Sequence, residues 1–203
     1  MPKLFSIRPT LSLKGRRFQG IRGFTGKPSH PPLTDFPIVC YVLAAAFDLI
    51  SYLSPQGDPK AQDFFAAATF VMVAGFIVSL GAVLTGFFDW WKGIPRDRKS
   101  GPLGRAKHTQ VWRTINWHAA VMLTVTVLTI IDLILRVPNF DDAQTQLSWL
   151  VLSVLAALLV MFGAAYGGTL VFEYGFNVEN VDEVWNESET DHVRPERAKR
   201  PKA

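Results

Sequence analysis

Residues Phe64 to Phe88 read "FFAAATFVMVAGFIVSLGAVLTGFF". No charge interrupts this run, and its few polar residues are hydroxyls that a helix can satisfy on its own carbonyls. At 1.5 Å of rise per residue, about 20 apolar residues cross the hydrocarbon core of a bilayer. The run is long enough. A buried helix of a soluble protein would keep a polar face toward water, and this one keeps none.

Working outward, three more runs have the same character. They are Phe36 to Leu53 ("FPIVCYVLAAAFDLISYL"), Val111 to Leu135 ("VWRTINWHAAVMLTVTVLTIIDLIL") and Leu147 to Phe172 ("LSWLVLSVLAALLVMFGAAYGGTLVF"). Apolar residues make up 49% of the 203, and the charges are gathered into blocks between the runs. An isolated charge at mid-bilayer costs several kcal/mol, so such segregation is expected of a membrane protein. The fold class expected is all-α: an integral membrane four-helix bundle with polar N- and C-terminal tails. Its division is a basic tail over 1–29, a transmembrane domain over 30–178 and a polar tail over 179–203.

Lysine and arginine set the orientation. Seven lie in residues 1–35, seven between Asp89 and Arg113, and five after Phe172, while the other two connections hold Lys60 and Arg136 alone. This alternation places both termini and the 89–110 connection on the cytoplasmic side of a bacterial inner membrane. No apolar segment of a cleavable signal peptide lies within the first thirty residues. The tails are polar and aperiodic, and are expected to be disordered or to lie on the membrane surface. The single cysteine, Cys40, excludes an internal disulfide and every paired-cysteine metal motif. No phosphate loop, nucleophile elbow, zinc-protease helix or dinucleotide fingerprint is present. Neither catalysis nor a nucleic-acid partner is expected, and the lipid bilayer is the first partner.

Polar residues at membrane depth need a reason. In "SHPPLTDFPI", Thr34 or Asp35 is placed to cap a helix that has Pro37 in its first turn. That leaves His30 unexplained. Asp89 ends the second run, His108 precedes the third, and His118 sits about two turns inside it. Tyr166, Thr169 and Tyr174 lie near the end of the fourth. All fall on the cytoplasmic side, and His30, Asp89 and His118 are expected to form one polar site there. Asp89 is the group expected to orient an imidazole. His118 admits three readings, a structural hydrogen bond, a haem or metal ligand, or a proton-transfer group, and the sequence leaves them open. Asp48 lies near mid-depth and must be paired, hydrogen-bonded or protonated, as a structural acid or a proton relay. Asp132 is expected to reach the outer interface. Gly163, Gly167 and Gly168 are spaced for close helix packing.

"SHPPLTDFPI", "LTGFFDW", the lone histidine of the third run followed eighteen residues later by arginine, and "YGGTLVFEYGFNV" together resemble a bacterial membrane family, domain of unknown function 2231. The resemblance covers about residues 28 to 178. It implies four transmembrane helices, and a redox context, because some relatives are fused to a Rieske iron–sulfur domain. His30, Asp35, Asp48, Asp89 and His118 match family positions. Thr169 stands where relatives often carry histidine, and no Rieske domain is attached here.

Three functions stay open. One is a redox-associated subunit holding a b-type haem or metal near the cytoplasmic face, with Arg105, Lys107 and Arg113 toward haem propionates and a respiratory or Rieske-type partner. The second is a non-enzymatic scaffold or assembly partner, alone or as a homo-oligomer, whose polar cluster only locks the helices. The third is a small proton-conducting or transport bundle that uses Asp48.

Overall fold

A computed structural model describes residue 21, residues 28–93 and residues 109–177. The tails, and with them Arg105, Lys107 and His108, lie outside the described residues. Four helices follow one another: α1 (His30–Leu53), α2 (Pro59–Gly93), α3 (Gln110–Arg136), which runs into a short 3-10 turn (Val137–Asn139), and α4 (Leu147–Phe172). Each is long and apolar enough to cross a membrane. Among the described residues α1 packs on α2 and α4, and α3 packs on α4 and α2. The helices therefore form a ring, with α1 facing α3 and α2 facing α4 across the diagonals.

The distribution of side chains is the inverse of a soluble bundle. Leu53, Phe70, Ile77, Ile134, Leu158 and Met161 point outward and are exposed, while Asp48, Ser51, Thr69, Thr129, Asp132, Arg136 and Ser153 are fully or nearly buried. Such an apolar exterior is stable only against lipid. The chain is an integral membrane four-helix bundle. Tyr41, Ala44, Met72, Val125, Ala156 and Val160 make the apolar core at mid-length.

Helix α1 begins earlier than its capping pattern predicts. Its first residue is His30, with Ser29 at the N-cap and proline following at once. Pro31 and Pro32 cost little there, because the first amides of a helix have no internal acceptor. Pro37 lies inside the helix. Thr34 caps nothing; its hydroxyl donates to the Pro31 carbonyl at 2.7 Å. His30 is thus carried by the helix itself and not by the loop before it.

The end of α4 closes the same side of the bundle. The Phe176 amide donates to the Leu170 carbonyl at 2.7 Å across Gly175, whose φ of 57° is in the left-handed region. Glycine tolerates that geometry and the turn stops the helix. It brings Phe176 over Gly93, where an added Cβ would run into the Phe176 ring. Trp90, Trp112, Ile115, Leu170 and Tyr174 complete this apolar end.

Candidate functional site: a paired imidazole and a buried arginine

His30 and His118 meet across the α1–α3 diagonal. Their ring centres are 6.2 Å apart and their planes nearly perpendicular, at 87°. The Nδ1 of His30 lies 2.9 Å from the Ala82 carbonyl oxygen, and the Nδ1 of His118 lies 2.8 Å from that of Gly163. A carbonyl only accepts, so each Nδ1 carries the proton and donates it, which leaves Nε2 as a lone-pair donor in the neutral ring. No side chain or carbonyl of the described residues bonds either Nε2.

The two cradles repeat one another. His30 leans on Gly86, four residues beyond its acceptor Ala82, and His118 leans on Gly167, four residues beyond Gly163. An added Cβ would lie 2.6 Å from His30 Cε1 at Gly86 and 3.3 Å from His118 Cε1 at Gly167. In each case a histidine of an odd-numbered helix anchors to a carbonyl of the next helix and rests on the glycine one turn further along. The repeat was not visible in the sequence, because only the paired packing of α1 on α2 and α3 on α4 aligns these positions.

Asp89 lies on the inward face of α2 and is buried, one turn beyond Gly86. Its Oδ1 has no hydrogen-bond partner. It does not orient either imidazole; the backbone carbonyls hold the positions in which a second-shell acid was expected. Tyr166 and Thr169 interact within α4, by ring contact with Phe162 and by donation to the Ala165 carbonyl, and Tyr174 joins the apolar end. Gly163 packs against Met122 and Val121, and Gly167 against His118. Gly168 is different: an added Cβ would meet only Phe172 of its own helix, at 3.9 Å. It lies outside the seam, since one residue of helix turns the side-chain direction by about 100° away from Gly167.

The opposite end of the bundle holds a site the sequence reading divided wrongly. Arg136 is not a charge of an outer connection, and Asp132 does not reach the interface. Arg136 is fully buried, as are Asp48 and Asp132. Its Nε donates to Asp132 Oδ1 at 3.0 Å, and Nη2 to Asp132 Oδ2 at 3.0 Å and to Asp48 Oδ2 at 2.8 Å. Nη1 donates to Asp48 Oδ1 at 3.2 Å and reaches Thr69 Oγ1 at 3.5 Å. All five guanidinium protons are thereby directed at acceptors, the condition under which a charge is tolerated away from water. Thr145 adds a donor to Asp48 Oδ1 at 3.0 Å, and its amide donates to Ser51 Oγ at 2.9 Å. Phe65 lies under the guanidinium, 5.8 Å from ring centre to Cζ, and stacks on Trp149. Every helix, or the loop that enters it, contributes. The signal that could have found this was the spacing Asp132 to Arg136, which places opposite charges on one helical face.

The family described as a predicted membrane protein (DUF2231) matches residues 26–180. The chain belongs to this family. The match takes in both polar sites and all four helices, in agreement with the resemblance carried by the "SHPP", "FFDW" and "YGGT" segments. No curated protein and no solved structure matches the chain.

Proposed function

We propose that this DUF2231 member is a redox-associated membrane subunit that holds a b-type haem between His30 and His118. The observation that carries the proposal is the pair of imidazoles on diagonal helices, each with Nδ1 anchored to a carbonyl and Nε2 left as a donor. A histidine that would hold haem iron needs that tautomer, and its second nitrogen is usually fixed by such a bond. To hold one metal-bearing group together, two imidazoles must be able to bring their lone pairs toward a single point. The spacing of 6.2 Å is compatible with this. Among the described residues no group of three or more His, Cys, Asp or Glu side chains is placed to hold a bare ion. Two donors suit a cofactor that brings its own four nitrogens better than an ion that needs four protein ligands.

Bound there, haem iron would supply one-electron transfer. The chain's own residues would do the rest. Ala82 and Gly163 hold the ring orientations, and Gly86 and Gly167 admit the rings. Arg113 is exposed and stands at the entry of α3, available to propionates. The asymmetry of lysine and arginine supports a bacterial inner-membrane location with both termini cytoplasmic, which sets the histidine end on the cytoplasmic side and within reach of a Rieske-type or other respiratory partner. A homo-oligomer would use the exposed apolar faces.

The test is a visible absorption spectrum of the detergent-purified protein before and after dithionite. A Soret band with sharpened α and β bands on reduction is expected, and His118→Ala should remove them. An unchanged, featureless spectrum after haem loading would refute the proposal, and would leave the scaffold reading, for which the Arg136 cluster is the structural support.

A further inference from the structure

Three polar levels lie on the axis of the bundle between α1 and α3. His30 faces His118, the Tyr41 hydroxyl faces Thr129, and Asp48 faces Arg136. The members of each pair are the same 88 residues apart. Within each helix the steps are eleven and then seven residues, which return to one helical face. The polar residues of both helices therefore point at the axis from one end of the bundle to the other.

The middle level is incomplete. Tyr41 is 2% exposed and Thr129 is fully buried. The Tyr41 hydroxyl faces those of Ser79 and Thr129 but makes no bond of hydrogen-bonding geometry to either, and Tyr41 Oη and Thr129 Oγ1 are both buried without a partner. Thr129 stands apart from its neighbours on α3. Thr114, Thr124 and Thr126 each donate to the carbonyl four residues back, which is the usual way for a membrane helix to satisfy a hydroxyl. Buried hydroxyls with no protein partner are the groups that internal water serves.

The steps between levels are short. Ser79 precedes Ala82, the anchor of His30, by three residues, or about 4.5 Å of helix rise. Thr129 precedes Asp132 by the same interval. Two hydrogen bonds in series through one water span about 5.5 Å, a reach comparable to that rise, and the Ser79 hydroxyl itself donates to the Phe76 carbonyl at 2.7 Å. At the far level Arg136 answers the charge of only one of its two carboxylates, and no other Lys, Arg or His among the described residues bonds either acid. The level therefore holds one more acid than base. Ala44, Met72, Val125 and Val160 pack with Tyr41 in one apolar cluster, so the middle level is a packed core around these hydroxyls and not an aqueous pore.

We propose that the bundle axis is a proton path: it connects the imidazole pair to the Asp48–Arg136–Asp132 cluster through the Ser79, Tyr41 and Thr129 hydroxyls and bound water. In each hop a hydroxyl or water oxygen takes a proton on a lone pair and releases one to the next acceptor, and the imidazole pair marks the end of the path without relaying protons through Nε2. One bond to hydrogen forms as one breaks, and no electrons are exchanged. Asp89 is the acid on the cytoplasmic side of the path and Thr69 and Thr145 line its outer end. The proposal does not depend on haem, since the path is made of this chain's own residues.

The experiment uses the full chain in vesicles that trap a pH-sensitive dye, with a potassium diffusion potential set by valinomycin. The absorption spectrum is recorded on the same sample, so that this test and the haem test can fail separately. Proton flux above that of protein-free vesicles is expected. Tyr41→Phe and Thr129→Val, which keep the shape of the core, should each lower it by about tenfold or more, the factor expected for a barrier raised by about one lost hydrogen bond. Ser79→Ala should lower it also. Thr124→Val, an exposed position outside the path, should leave it unchanged, and the circular dichroism of all four variants should match the parent. Flux no greater than in protein-free vesicles would overturn the proposal. So would unchanged flux in Tyr41→Phe and Thr129→Val, or sodium passing as readily as protons, which marks a leak.

Discussion

Replacement of Arg136 by methionine tests what holds the four helices together. The guanidinium directs five N–H groups at Asp48, Asp132 and Thr69, and it is wholly buried with both acids. Neutral side-chain hydrogen bonds between membrane helices average only about 0.6 kcal/mol each, so the three that leave α3 for Asp48 and Thr69 would total about 2 kcal/mol if they were independent. The charge effect points the same way but has a different origin: removal of one partner of a buried ion pair costs about 3–5 kcal/mol because the other charge is stranded. Arg136→Met strands two carboxylates, so we expect a loss of at least about 3–5 kcal/mol. The two origins are separated by removing every charge at once. The combined variant Asp48→Leu, Asp132→Leu, Arg136→Met strands no charge, only the Thr145 hydroxyl, and should recover most of the loss, to within about 1–2 kcal/mol of the parent, since apolar replacement of a whole buried ion cluster is often neutral or better. The assay is reversible unfolding in mixed micelles, followed by far-ultraviolet circular dichroism, with the melting temperature as a second readout. Arg136→Met within about 1 kcal/mol of the parent, or a triple variant no more stable than the single one, would refute the reasoning that stranded charge dominates.

Gly86→Ala should destabilise by about 1–3 kcal/mol and displace His30, because a Cβ there meets a ring already pinned to Ala82; an unchanged melting temperature would mean that the ring swings away freely. Gly163→Leu should cost at least as much by forcing α4 off Val121 and Met122, while Gly168→Leu, which faces no other helix, should stay within about 0.5 kcal/mol; equal effects at the two positions would contradict the seam as described. For orientation, cysteines placed at Gln56 and at Arg98 in a Cys40→Ala background should react with an impermeant maleimide from opposite sides of the membrane, Gln56 from outside the cell. Labelling of Arg98→Cys from outside would reverse the topology.

The membrane class of the fold was legible because it depends on one-dimensional quantities. The length of the Phe64–Phe88 run, the absence of charge within it and its recurrence three times need no knowledge of partners. The segregation of lysine and arginine is likewise a property of the chain order. The family assignment rested on short segments that also survive as linear text. The start of α1 was misplaced by a turn and more, because Thr34 and Asp35 resemble a cap and two consecutive prolines resemble a break. In the structure the prolines occupy the one stretch of a helix where missing amides cost nothing.

What lay beyond the sequence was pairing. His30 and His118 were each visible as polar residues at membrane depth, but which nitrogen is occupied depends on carbonyls of Ala82 and Gly163, and backbone acceptors carry no side-chain signature. Arg136 read as a connecting charge because α3 was ended at Leu135, one residue short, and nothing in one dimension says that a terminal arginine turns inward. Gly86 and Gly168 are the same residue in similar surroundings, yet one admits an imidazole and the other faces away from every neighbouring helix. The sequence by itself determined that the chain would enter a membrane as four helices, since transfer free energy is summed residue by residue along each run. Only the tertiary structure decided that Asp48 would find Arg136 and that two histidines would share one axis, because a hydrogen bond or an ion pair exists only when two particular atoms arrive within about 3 Å of each other.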